Sequence, residues 1–354
     1  MVLVLLTAFP QLRPGMITFT VRMGDVFFHT AEWVAIPPNP DEILSVHWFG
    51  RDQDGFRQAI RSADYYPILG IGDSYTEAAN AARPWTDVLA EAYGQPVRNL
   101  GFRGYGPVEQ AKVFVQYGAP ANPEIVIIGY FEGNDLSDAV ESQNRQLPMP
   151  SETDELRIIP RDLETITDRD VRYPMQIDLN GQLHDIAFLE GYVWALNATQ
   201  ASFRNSTNLE ITEQAWQEMQ AADPDACMIL AYFPNNAHIY LPYLTPDDQI
   251  TLMQKAEARV ADVGEPLQIE FPFNGTFEDL LARRNNQRDV IRERAEANGL
   301  IFFDLVPVLE QAAVEGQLSY YTYDTHWNQT GHDLVGRAIA DFLRQDPCPT
   351  SSNG

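Results

Sequence analysis

From Pro67 onward the chain alternates short apolar runs with segments of helical period, and no other feature limits its fold so strongly. Residues 67–71, 97–100, 125–128, 227–233 and 300–303 read as five strands; residues 125–128 hold no polar side chain, as expected where helices cover both faces of a sheet. Between the first two, Trp85, Val88, Leu89, Ala92 and Tyr93 recur at helical spacing behind Pro84 and stop at Gly94. A second helix opens at Pro107, a third covers residues 210–222, and Thr276 with Asp279 three residues on caps another that runs to Asn298 and stops at Gly299. The last carries Leu334, Val335, Ala338, Ile339, Phe342 and Leu343 on one face. Strands separated by helices predict an α/β protein with a five-stranded parallel sheet.

Two stretches fall outside the alternation. Residues 1–65 show no sustained period, are Pro-rich around residues 37–40, and read as an irregular arm packed on the main domain. After Asp135 the alternation stops for about 90 residues: residues 151–170 are acid-rich and Asn180-Gly181 marks a turn or hairpin tip. This insertion, residues 136–222, emerges beside Asn134 and is either a cap over that point or surface elaboration. The expected organisation is an arm (1–65), a principal domain (66–346) holding the insertion, and a tail (347–354).

Open parallel sheets bind their ligands at the carboxyl ends of the strands, and here the first three strands each end in a small polar motif. Gly72-Asp73-Ser74-Tyr75 follows the first and offers a hydroxyl. Asn99-Leu100-Gly101-Phe102-Arg103-Gly104 follows the second, where glycines let backbone N–H groups approach a ligand closely, as an oxyanion hole requires. Gly133-Asn134-Asp135 follows the third and adds a side-chain amide. Each alone has the composition of an ordinary turn. Three independent turns on one sheet edge would have no need of a hydroxyl and two kinds of donor. Tyr323-Asp324-Thr325-His326-Trp327-Asn328 precedes the last helix. A hydroxyl nucleophile needs a base near neutral pH and a carboxylate to orient it. Residues two apart in an extended segment point the same way, so Asp324 can meet the ring of His326. His29, His47, His184, His238 and His332 lack this setting and read as structural or solvated. Trp327, Tyr130, Phe131 and Tyr75 are near these motifs in sequence, as a substrate wall or as core.

Gly72-Asp73-Ser74, Gly104, Asn134 and His326, in this order, resemble the four blocks of the SGNH (GDSL-type) hydrolases. Ser74, Gly104 and Asn134 follow one another at intervals of 30 residues, each with room for one helix and one strand. The resemblance covers roughly residues 67–344 and leaves the insertion unmatched. It implies a three-layer α/β/α sandwich of flavodoxin-like order, Ser74 as nucleophile, His326 as general base, and an oxyanion hole from the Ser74 and Gly104 amides and the Asn134 side chain. Common members place the acid three residues before the histidine, which is Tyr323 here; the acid is Asp324. The Asp-Thr-His-Trp form is similar to SGNH-like proteins that O-acetylate alginate and related exopolysaccharides, although in those this block precedes the serine block. The resemblance implies an acyl or acetyl esterase working through an acyl-enzyme on Ser74. The alternatives are an O-acyltransferase acting on a polysaccharide and a non-catalytic carbohydrate-binding protein of the same fold.

The expected partner is a small-molecule or carbohydrate ester. A net charge of −26, with Lys112 and Lys255 the only lysines, repels polyanions, so nucleic acid is not expected and an acidic polysaccharide is disfavoured. No His-Glu-x-x-His, calcium loop or cysteine cluster calls for a metal, and no phosphate-binding Gly-x-x-x-x-Gly-Lys or other cofactor motif occurs. The two cysteines make no disulfide scaffold: Cys227 reads as a small buried hydrophobe, Cys348 as part of the tail, and no pairing is expected. Residues 2–9 are apolar but far short of the ~20 needed to span a bilayer. They read as a clipped signal or anchor or as a first strand, and the reading leans to a secreted or periplasmic protein.

Overall fold

Apolar runs that must be buried on both faces pair with one another, and the computed structural model joins all five in one parallel sheet. It describes residues 16–23, 26–29, 47–79, 81–142, 157–161, 172–262, 275–322 and 325–348. In chain order the strands are β1 (Met16–Met23), β2 (Val26–His29), β3 (His47–Gly50), β4 (Ile68–Ile71), β5 (Val97–Asn99), β6 (Ile125–Phe131), β7 (Arg157–Arg161), β8 (Arg172–Leu179), β9 (Gln182–Leu189), β10 (Cys227–Phe233) and β11 (Ile301–Asp304). The central sheet runs β5-β4-β6-β10-β11. Its spine is the β6–β10 pair, in register from Ile125 opposite Cys227 to Phe131 opposite Phe233. Ile71, Ile127 and Leu230 are fully buried in it, each worth about 2 kcal/mol of transfer from water.

The strand order reverses after β5, and right-handed crossovers in opposite directions put their helices on opposite faces. The Trp85–Tyr93 helix packs on one face with the closing Gln329–Leu343 helix. The Pro107–Val113 helix packs on the other with Thr207–Ala222, which in turn bonds the end of the Asn286–Ala297 helix through Gln217 and Asn298. The result is the expected α/β/α sandwich. Beyond Gly129, β6 keeps pairing with β10 as far as Phe131. The helix begun by the Thr276–Asp279 capping box is two helices, Phe277–Arg283 and Asn286–Ala297, rather than one.

Two expectations need correction. The arm is not irregular: β1, β2 and β3 form an antiparallel sheet, and the insertion supplies β7 as its fourth strand, in the order β3-β2-β1-β7. Cys227 and Cys348 do pair, as a disulfide with Cα atoms 5.8 Å apart. The reason is topological: Cys227 begins β10, and the last helix brings the tail back to that end of the sheet. Asn180 and Gly181, both at positive φ (55° and 84°), form the tip of the β8–β9 hairpin. Residues 2–9 lie outside the described residues. Among those described, no helix is long and apolar enough to cross a membrane.

Candidate active site

Because β5, β4 and β6 are neighbours, the three polar motifs leave the sheet side by side, at the point where the strand order reverses. Ser74 opens a four-residue helix, Ser74–Glu77, whose cap is Asp73: Oδ1 accepts the Tyr75 N–H at 2.9 Å. The helix ends at Ala78 in the left-handed region, at φ 51°. The Arg57 guanidinium donates to the carbonyls of Glu77 and Ala78, orphan acceptors of the helix end, and to those of Ala81 and Ala82 in the turn that follows. Burial lowers the pKa of Arg57 to about 10, which leaves it charged at neutral pH. Asp73, Tyr75, Thr76 and Glu77 are buried, whereas Ser74 is only half-buried, so the hydroxyl is the part of this turn that solvent reaches.

The β5 loop lies directly on this helix. A side chain at Gly101 would put its Cβ 2.5 Å from the Glu77 nitrogen and 2.6 Å from Thr76 Cβ, so only glycine permits the approach. Glu77, fully buried, receives Arg51 at 3.1 Å, the Arg103 side chain at 2.8 and 3.0 Å, and the Arg103 N–H at 3.2 Å. This knot fixes the residue before Gly104, an exposed glycine at φ +76°. Asn134 is half-buried after β6; its amide nitrogen gives one proton to Asp138 Oδ2 at 2.9 Å and keeps a second N–H, and its Oδ1 is buried without a hydrogen-bond partner.

His326 reaches these motifs on a loop that crosses the end of β10. Tyr320 donates to the Pro234 carbonyl at 2.7 Å, the Ser319 N–H donates to the Tyr240 hydroxyl at 2.7 Å, and Tyr321 N–H closes on the His326 carbonyl at 3.0 Å. The insertion braces the loop: Ala187 N–H, in β9, donates to the Thr322 carbonyl at 2.7 Å. His326 Nε2 thereby stands 2.8 Å from Ser74 Oγ. Asp324 lies outside the described residues.

The four aromatics near the site are all in the core: Tyr75, Tyr130, Phe131 and Trp327 are at most 2% exposed, so none offers an open face. Tyr75 stacks on Phe131 at 4.0 Å, leans on the His326 ring at 4.8 Å, meets Trp327 edge-on, and bonds the Thr325 carbonyl. Tyr75, with Phe131 and Trp327 packed on it, holds the histidine loop against the serine turn. His238 is buried between Glu132, at 2.7 Å, and Asn285, at 3.0 Å, in keeping with a structural role.

Three features of the site go beyond the sequence motifs. Glu77 and its arginines come from the arm and two loops, and nothing local marks them. Tyr192, on the Glu190–Ala195 helix of the insertion, is half-buried; its ring meets Phe131 edge-on at 5.6 Å, and its tip lies against the backbone of Gly133. Asp73 and Asp135 are fully buried carboxylates. Burial lifts Asp73 to about 6, against the Tyr75 N–H and the proximity of His326. Burial, then the charge of Asp73, pushes Asp135 well above the usual carboxylate range, although Phe131 N–H donates to it at 2.9 Å.

An imidazole nitrogen in contact with the hydroxyl of a half-buried serine can accept its proton, and on the same sheet edge the Asn134 amide keeps an N–H to donate. The model of the GDSL-like lipase/acylhydrolase family matches residues 71–334. Among solved structures, the chain is similar to an inhibitor-bound M. smegmatis aryl esterase (14% identity, TM-score 0.38, covering 79% of this chain and 99% of the other). It is also similar to Est24, a carbohydrate acetylesterase from Sinorhizobium meliloti (12%, 0.37, 79% and 99%), and to a phospholipase A1 from Streptomyces albidoflavus (11%, 0.42, 78% and 98%). No curated protein matches the chain.

Proposed function

We propose, for a chain that belongs to the GDSL-like lipase/acylhydrolase family, ester hydrolysis through an acyl-enzyme on Ser74 with His326 as general base. The observation that carries the reading is the 2.8 Å contact between His326 Nε2 and Ser74 Oγ. In this reading Oγ attacks the ester carbonyl as its proton passes to Nε2. The tetrahedral oxyanion is held by the N–H groups of Ser74 and Gly104 and the remaining amide proton of Asn134. The imidazolium returns the proton to the departing alcohol, and water then repeats the sequence on the acyl-serine. Asp324, two residues before the histidine, is the orienting acid. The substrate is a small-molecule or carbohydrate ester, because the negative field repels polyanions.

The test uses p-nitrophenyl acetate and a serine-directed phosphonate. Turnover and a single phosphonate adduct on Ser74, both lost in Ser74→Ala, are expected. Absence of turnover and adduct in the wild type would leave a binding protein with an inert site. An oxyanion donor is worth about 3 kcal/mol where its removal has been measured, so Asn134→Ala should reduce kcat on the order of a hundredfold with little change in KM.

A further inference from the structure

Beneath the hydroxyl lies a carboxylate for which the acyl-transfer scheme has no use. Asp73 is fully buried. Its Oδ1 is spent on the Tyr75 N–H, while Oδ2 faces Ser74 Oγ at 3.4 Å. The serine hydroxyl has one proton, and the shorter 2.8 Å contact directs it to His326. Oδ2 and the ring that becomes positive when the proton moves thus contact the same hydroxyl oxygen. No lysine or arginine hydrogen bond to Asp73 occurs among the described residues.

We propose that Asp73 is a positioning residue that acts through His326: its carboxylate stabilises the imidazolium formed as Ser74 is deprotonated, in addition to capping the serine turn. The inference rests on the reading of Ser74 and His326 as nucleophile and base. Asp73 takes no proton at any step; the serine proton goes to Nε2 and from there to the leaving alcohol. Burial disfavours a charge on Asp73, while the Tyr75 N–H and the nearby His326 favour it. The titratable groups around it are Ser74, His326 from the last loop, and Asp135 from the Asp135–Ser142 helix, with Asp138 facing Asp135 in turn. Two buried carboxylates near each other do not both ionise readily. Of the two, Asp135 is pushed well above the usual carboxylate range and Asp73 only to about 6, so as pH rises the charge falls on Asp73 first.

Asp73→Asn separates the two roles, because asparagine caps as well as aspartate and has nearly the same shape. The readout is the titration of the His326 ring by NMR in protein labelled with 13C-histidine, assigned with His326→Gln. Asp73 and His326 meet through Ser74 Oγ, and an opposite charge within about 4–6 Å shifts a pKa by about one unit or more, so the midpoint should fall by about that much in Asp73→Asn. The acid limb of kcat/KM should move down equally, with kcat reduced about tenfold and KM unchanged. A midpoint that moves by less than about 0.2 units in a folded variant overturns the proposal. So does a fall seen only in Asp324→Asn. If Asp73→Asn does not fold, Asp73→Ser, also a good cap, gives the same comparison. The titration needs no turnover, so a wild type inert to ester and phosphonate would refute the esterase reading while the effect of Asp73 on the ring is still measured.

Discussion

Opening the Cys227–Cys348 bridge should lower stability by an amount that the chain topology sets. The disulfide joins residues 121 apart in sequence. Releasing a loop of that length returns about 5 kcal/mol of conformational entropy to the unfolded chain in the chain-entropy account. With an unfolding entropy of about 2.1 cal/mol/K per residue, a chain of this size should lose about 7 °C in Tm. The measurement compares wild type, wild type in a phosphine reductant, and Cys227→Ser/Cys348→Ser by calorimetry, and the last two should agree. Activity should stay within about twofold. Cys227 is the first residue of β10, and a seven-residue strand carries the chain about 20 Å to the end where Ser74 and His326 meet. A Tm loss below about 2 °C, or two thiols that react with a disulfide reagent in the native unreduced protein, would refute the reasoning.

Glu77→Gln leaves Arg51, nearly inaccessible, facing a neutral amide; breaking such a pair should cost about 3 kcal/mol in urea unfolding and reduce kcat by loosening the loop that bears Gly104. A cost under about 0.5 kcal/mol would mean the knot is idle. Asp135 has a folded-state pKa raised above the unfolded one, so its contribution to stability is fully present below about pH 4 and is lost as pH rises through the folded value. Asp135→Asn should therefore gain on wild type in Tm at pH 8 and show no gain near pH 4; a pH-independent difference would refute this. Tyr192→Ala removes a ring beside Gly133 and should raise the octanoate-to-acetate ratio of kcat/KM about tenfold for p-nitrophenyl esters, whereas an equal change for both would place Tyr192 outside the acyl path.

The sheet was legible because burial on both faces leaves apolar runs that few other structures produce. The serine, glycine and asparagine motifs were legible because they end successive strands, and the histidine motif because an imidazole two residues after a carboxylate stands out before the last helix. The arm also carried a signal: Ile17, Phe19, Val21 and Met23 alternate with Thr18, Thr20 and Arg22, the period of β1. Its near partner, β2, has only four residues, too few to show an alternation, and its other partner, β7, lies more than a hundred residues away. Cys227 and Cys348, and Glu77 with Arg51 and Arg103, meet only once the fold exists; no pattern within a sequence window brings them together. Trp327, Tyr130, Phe131 and Tyr75 show the converse: their nearness in sequence to the serine and histidine motifs reflects packing in the core.

β1 binds β2 along one edge and β7 along the other, so segments more than a hundred residues apart complete a single sheet. β1–β3 of the arm and β7 of the insertion are therefore two parts of one sheet, and neither is a dispensable overhang. Cutting the chain at the start of the principal domain would strip β7 of its partner and bare a strand edge that copies of the protein could share. Excising the insertion would do the same to β1. A shortened form must keep both, because Arg51 and Arg57 of the arm and Ala187 of the insertion also hold the serine turn and the histidine loop.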